Sequence, residues 1–198
     1  MRRQHKRAQI SSKRERNKVH GFTEIRRLIG QLELPDALRD RACVLFESAQ
    51  NADLLQGRSI EGFGAAAVYA VCRTASISRT LEEIVAVASA DENELKAAYS
   101  ALNRELDLPT GPIAPAEYLA RYASKLDVPN DIERRARKLA GDAHESGLTA
   151  GKNPSGVAAA CLYTASRQTG YELTQKEAGD VADVSAVTIR KTYQDIRD

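Results

Sequence analysis

Displaced against itself by 94 residues, the chain matches without a gap. Leu32 and Pro35 fall on Leu126 and Pro129, and Arg41-Ala42 on Arg135-Ala136. Gly57, Gly62, Ala65-Ala66, Tyr69 and Arg73 fall on Gly151, Gly156, Ala159-Ala160, Tyr163 and Arg167. Further on, Thr80, Glu83, Val87-Ala88 and Tyr99 meet Thr174, Glu177, Val181-Ala182 and Tyr193. The period is too long for the common solenoid repeats, so tandem duplication of a whole domain is the economical reading. With 198 residues, each copy has about 90, enough for its own core.

Each copy parses as five helices. The first ends just before Leu34-Pro35 or Val128-Pro129, and the second runs from Asp36 or Asn130 to the glycine region. The third follows Gly57-Arg58-Ser59 or Gly151-Lys152-Asn153, with Pro154 in the first turn, where its missing N–H does no harm. It is rich in alanine (GAAAVYAVC, VAAACLYTA), which suits a central helix approached closely by its neighbours. The fourth opens on a capping box, Thr80 to Glu83 or Thr174 to Glu177. The fifth spans Asp91 to Glu105, or Ser185 to Ile196. No segment of any length alternates with a strand period. The expected fold is therefore all-α, two tandem five-helix domains. The expected division is a basic arm over 1–20, a first repeat over 21–109, a linker over 110–114 in the TGPIAP stretch, and a second repeat over 115–198.

The net charge of +2 hides an asymmetry. Residues 1–20 hold eight Lys or Arg and one Glu, residues 21–112 nine basic and fourteen acidic groups, and residues 113–198 twelve of each. A basic arm of this kind is either a solvated, flexible tail or a nucleic-acid contact. Cys43, Cys72 and Cys161 lie far apart and form no C-x-x-C, and His5, His20 and His144 add no metal-ligand spacing, so packing roles are expected and no metal. No run reaches a membrane span and there is no apolar signal-peptide core, which suggests a soluble, cytoplasmic protein; a monomer is expected. Nothing pairs a nucleophile with a histidine or forms a phosphate loop, so catalysis is not expected.

The end of the second copy, TQKEAGDVADVSAVTIRKTY, reads as two short helices joined by a tight turn near Asp183-Val184. Val181, Val184, Ile189, Tyr193 and Ile196 form an inward stripe. Ala186, Val187, Arg190, Lys191 and Gln194 are left facing out. That is a helix-turn-helix arrangement, whose second helix enters the major groove N-terminus first. Ser185 and the free N–H groups beside it suit a phosphate oxygen, Arg190 a guanine edge, and Val187 a thymine methyl. Lys152 and Thr174, each at a helix start, suit the DNA backbone. The alternative is a plain helical hairpin with a solvated basic edge. In the first copy the corresponding stretch is Asp91-Glu92-Asn93-Glu94-Leu95-Lys96: the buried position stays apolar while the exposed helix start turns acidic. Acid there suits the helix dipole and repels phosphate, so the copies are expected to divide labour, the second reading bases and the first meeting mainly protein.

Together, GRSIEGFGAAAVYAVCR, GKNPSGVAAACLYTASR and TQKEAGDVADVSAVTIR resemble the core of the archaeal transcription factor B family, and SKRERN over 12–17 resembles the linker before its first repeat. The resemblance covers nearly the whole chain. It implies two cyclin-like repeats that bind the complex of TATA-binding protein with promoter DNA, the second reading the element upstream of TATA. It places Lys152, Asn153, Thr174, Gln175, Ser185, Val187, Thr188, Arg190 and Lys191 at DNA. It leaves Arg58, Arg79 and Lys96 as backbone contacts in the first repeat. It turns Arg2, Arg3, Lys6, Arg7, Lys13, Arg14 and Arg16 toward RNA polymerase and template, and places the protein at the nucleoid. The family's zinc ribbon is absent from this chain, so no zinc is expected and polymerase binding should be weaker. Fragment and shortened paralogue both remain open. The rival reading is a cyclin-type helical regulator that binds a protein partner without DNA.

Overall fold

The computed structural model describes the backbone of residues 2–111 and 113–197, and the side chains of residues 12–111 and 113–197. The chain divides into two compact units, residues 1–111 and 112–198. The first holds α1 (Arg2–Gln31), α2 (Asp36–Asn51), α3 (Ile60–Thr74), α4 (Leu81–Val85) and α5 (Glu92–Leu106). The second holds α6 (Ala116–Lys125), α7 (Asn130–Glu145), α8 (Pro154–Thr169), α9 (Gln175–Ala182) and α10 (Ala186–Arg197). Among the described residues there is no strand.

In each unit the alanine-rich helix is the hub. In α3 every residue from Gly62 to Cys72 is buried, and in α8 every residue from Ser155 to Ser166. Helix α3 packs against α1, α2, α4 and α5, while α8 packs against α6, α7, α9 and α10. Small side chains permit this, because a helix surrounded on all faces needs short interaxial distances. The large apolar groups come from the surrounding helices: Ile25, Leu28, Phe46, Leu95 and Leu102 in the first unit, Leu119, Tyr122 and Ile189 in the second.

The helix starts follow the local chemistry. Ser59 accepts from the Gly62 N–H, and Asn153 Oδ1 from the Ser155 N–H at 3.0 Å, just before Pro154. Thr80 and Thr174 close full capping boxes with Glu83 and Glu177.

One feature departs from the sequence expectation. Helix α1 runs without a break through residue 20, where a flexible arm was the simpler expectation. Within residues 12–20 it is held to α2: Arg14 donates to the Gln50 carbonyl at 2.7 Å, Gln50 donates back to the Arg14 carbonyl at 2.8 Å, and Lys18 pairs with Glu47 at 2.6 Å. Helix α4 is only five residues long. Beyond it, the connection to α5 is held by Glu24, whose buried carboxylate accepts from the Ser89 N–H at 2.9 Å and from both Nε and Nη2 of Arg27.

Candidate nucleic-acid interface

Helices α9 and α10 meet at a turn set by one residue of unusual backbone. Asp183 adopts the left-handed conformation (φ 53°), which Asp tolerates better than most side chains, and the Val184 N–H returns to the Gly179 carbonyl at 3.0 Å. Ser185 then starts α10, its Oγ accepting from the Thr188 N–H at 3.1 Å and lying 2.9 Å from the Thr188 hydroxyl. This satisfies one first-turn donor, while the N–H groups of Ala186 and Val187 have no acceptor within the helix.

The faces of α10 are cleanly separated. Ile189 is fully buried and Thr192 nearly so, with Val181, Val184, Tyr193 and Ile196 packed against the same core. Burial of Thr192 does not follow from the apolar pattern, which leaves a hydroxyl residue on neither face. Arg190, Lys191 and Gln194 are exposed, and Val187 is 75% exposed, a large apolar side chain with no role in the core.

The start of α8 is pinned beneath this hairpin by buried polar contacts that the sequence reading missed. Ser155 Oγ donates to the Ala182 carbonyl at 2.9 Å and lies 2.8 Å from the Tyr122 hydroxyl. A Ser at that position, two residues after an N-cap, carries no local signal for such a link. A groove of about 320 Å³ separates the start of α8 from α10, lined by Lys152, Asn153, Val187, Thr188, Lys191 and Asp195. The fold therefore gathers Lys152, Asn153, Val187, Thr188 and Lys191 into one place, with Arg190 and Ser185 on the adjoining exposed surface of the same helix start.

Thr174, Gln175 and Lys152 have partners within the protein. The Thr174 hydroxyl accepts from the Glu177 N–H at 3.1 Å and donates to the Glu177 carboxylate at 2.7 Å; that bond and the Thr174 N–H at 2.8 Å hold the carboxyl below the usual Glu range. Gln175 is half-buried and donates to the Tyr163 hydroxyl at 3.3 Å. Lys152 Nζ lies 2.6 Å from Asp195 Oδ2.

In the first unit, Arg58 donates to the Leu54 carbonyl at 2.7 Å and Lys96 pairs with Glu92 at 2.5 Å. Arg79 turns inward, donating to the Leu32 carbonyl at 2.6 Å with its side chain only 20% exposed. That placement ties Arg79 to the end of α1 within the first unit. Of the arm, Lys13 and Arg16 are exposed and Arg14 is bound to α2, while the side chains of Arg2, Arg3, Lys6 and Arg7 lie outside the described residues.

Among the described residues no group of three His, Cys, Asp or Glu is placed to hold a metal ion, and no helix is long and apolar enough to cross a membrane. Cys72 and Cys161 are buried, which pushes their thiols up to about 11 and about 12.

The family model described as the transcription factor TFIIB repeat matches twice, over residues 14–105 and 109–198. The chain is 59% identical over 198 residues to transcription initiation factor IIB 1 of Halobacterium salinarum, covering all of this chain and 69% of that protein. It is 42% identical over 196 residues to factor IIB 2 of the same organism, covering 99% of this chain and 60% of that one. It is 41% identical over 196 residues to transcription initiation factor IIB of Methanococcus maripaludis, covering 99% and 58%. It thus spans 58–69% of the length of these relatives. The chain belongs to the transcription factor IIB family, a family of transcription factors and not of enzymes, through two tandem copies of its cyclin-like repeat.

Proposed function

We propose that this chain acts as the promoter-binding core of an archaeal general initiation factor. It binds the complex of TATA-binding protein with promoter DNA and reads the upstream flank through α10. The observation that supports this best is the exposed start of α10, where Val187, Arg190 and Lys191 stand out beside an open helix end while Ile189 anchors the other face. The first repeat keeps the anchor, Leu95, and replaces the exposed set with Asn93, Lys96 and Ala97 behind an acidic helix start. A helix needed only for packing has no use for the first set. Major-groove recognition does, because Arg is built for a guanine edge and an aliphatic side chain for the thymine methyl.

On this reading Lys191, Lys152 and the α10 N-terminus meet phosphates and set register, while Arg190 and Val187 carry sequence preference. The first repeat contributes chiefly to the TATA-binding-protein contact. The basic first half of α1, with Lys13 and Arg16, faces polymerase and template, and the protein acts at the nucleoid. The test is assembly in native gels of this chain with its TATA-binding protein on a TATA-containing duplex. A ternary complex that weakens steeply with salt is expected. Failure of the folded protein to shift that complex at any salt concentration would return the protein-only regulator to the front.

A further inference from the structure

We propose that Asp195 sets the phosphate affinity of the second repeat's nucleic-acid face, by holding Lys152 in an ion pair that DNA must displace. The inference rests on the reading of α10 given above and adds a residue to it.

Lys152 stands at the start of α8 and Asp195 on the last turns of α10, 43 residues apart, with Nζ and Oδ2 at 2.6 Å. Both line the groove beside Val187 and Thr188. Lys191, one turn before Asp195, lines it too. The hydrogen bond from Lys152, with the charges of Lys152 and Lys191, outweighs burial and holds the Asp195 carboxyl below its ordinary range. At neutral pH the group is a carboxylate bound to Lys152 and within reach of the charge of Lys191, the two lysines that line the groove.

The fold does not require that carboxylate. At the 94-residue offset, Asp195 corresponds to Ala101 and Lys152 to Arg58. Ala101 is 2% exposed within the packed face of α5, and Arg58 satisfies its guanidinium on the Leu54 carbonyl instead. The same pair of helices therefore packs without an acid. Stability does not account for it either: the two side chains are 29% and 36% exposed, and ion pairs at that exposure add little. The acid occurs in the repeat whose groove is basic. There it lowers the gain from each phosphate, because the phosphate must replace a partner that Lys152 already has. Such a brake weakens binding to every sequence alike and leaves preference to Arg190 and Val187.

The test compares wild type, Asp195→Asn, Lys152→Met and the double variant, each folded by circular dichroism. Binding to the complex of TATA-binding protein with promoter duplex is titrated at several salt concentrations. Asp195→Asn should tighten binding about fivefold, the equivalent of a displaced surface ion pair. It should leave the slope of log K against log salt unchanged, because Lys152 meets the same phosphate in both proteins, whereas Lys152→Met should flatten it by roughly 0.9. Asp195→Ala, the residue of the first repeat, should do the same. The double variant should bind no tighter than Lys152→Met. Weaker or unchanged binding by Asp195→Asn would overturn the proposal, as would tightening that persists without Lys152, which is general repulsion by the carboxylate. Elution from immobilised heparin, a polyanion without sequence, keeps the two readings separable. Later elution of Asp195→Asn, only when Lys152 is present, supports the clasp even if promoter recognition fails. Equal elution with promoter recognition intact removes the clasp alone.

Discussion

A β-carbon placed on Gly179 would stand 2.6 Å from the carbonyl oxygen of Val184, closer than real β-carbons approach backbone oxygen. The contact lies at the crossing of α9 and α10, and the same glycine's carbonyl accepts the Val184 N–H. Neither partner is a flexible side-chain end, so the turn itself would have to open.

Gly179→Ala is accordingly expected to destabilise the second repeat by about 1–3 kcal/mol, the usual range for overpacking. It should also weaken promoter binding, through displacement of Arg190 and Val187. Chemical denaturation with and without DNA measures both. Unaltered stability would mean that the turn relaxes at no cost and that Gly179 does not set its geometry.

Arg190 and Lys96 occupy equivalent positions in the two repeats. Arg190→Ala should cost about 1–3 kcal/mol on the preferred promoter and relax preference at one base pair. Lys96→Ala should do much less, because Lys96 is already paired with Glu92 in an acidic helix start. Titrations against a set of single-base-pair promoter variants distinguish the two. An equal loss on all sequences would make Arg190 a phosphate contact, and an equally large loss from Lys96→Ala would refute the division of labour.

Glu24 is the buried acid that ties α1 to the α4–α5 connection. Burial pushes its carboxyl up, but the hydrogen bonds from Arg27 and Ser89 outweigh this and hold it below the ordinary value of 4.5. A depressed folded-state value means stability that is fully present above the unfolded value and is lost as pH falls through the folded one. Glu24→Gln should therefore cost about 1–3 kcal/mol near neutral pH. Its denaturation midpoint should converge with that of wild type as the solution is acidified below pH 4.5. Parallel midpoints from pH 7 to pH 3 would show that the charge of Glu24 is not what stabilises the contact.

The three thiols should separate kinetically. Cys43 is half-buried, while Cys72 and Cys161 are buried and held protonated far above pH 8. A thiol-specific reagent at pH 8 should modify Cys43 first, with the other two following at the rate of unfolding. Simultaneous modification of all three in folded protein would contradict the packing described.

Apart from the 94-residue repeat, which gave the two-domain organisation, what was legible in the sequence was local. The capping boxes at Thr80 and Thr174, Pro154 in a first turn and the apolar stripe through Ile189 each depend on residues within about one helical turn of each other, so spacing alone reveals them. The pairings that escaped it join distant positions: Arg14 with Gln50 across 36 residues, Lys152 with Asp195 across 43, and Glu24 with Ser89 across 65. Composition made the stretch around Arg14 and Lys18 look like a solvated arm, because the partners of these two residues lie on another helix. Arg79 looked like a surface cation for the same reason, since its partner is the carbonyl of Leu32.

The most direct measurement is a gel-shift titration of this chain with its TATA-binding protein on two duplexes that share a TATA box. One carries the natural upstream flank and the other a scrambled one. The account predicts tighter binding to the natural flank, with the difference abolished by Arg190→Ala. Equal affinity for both duplexes, with wild-type protein and intact assembly, would contradict the claim that α10 reads promoter sequence.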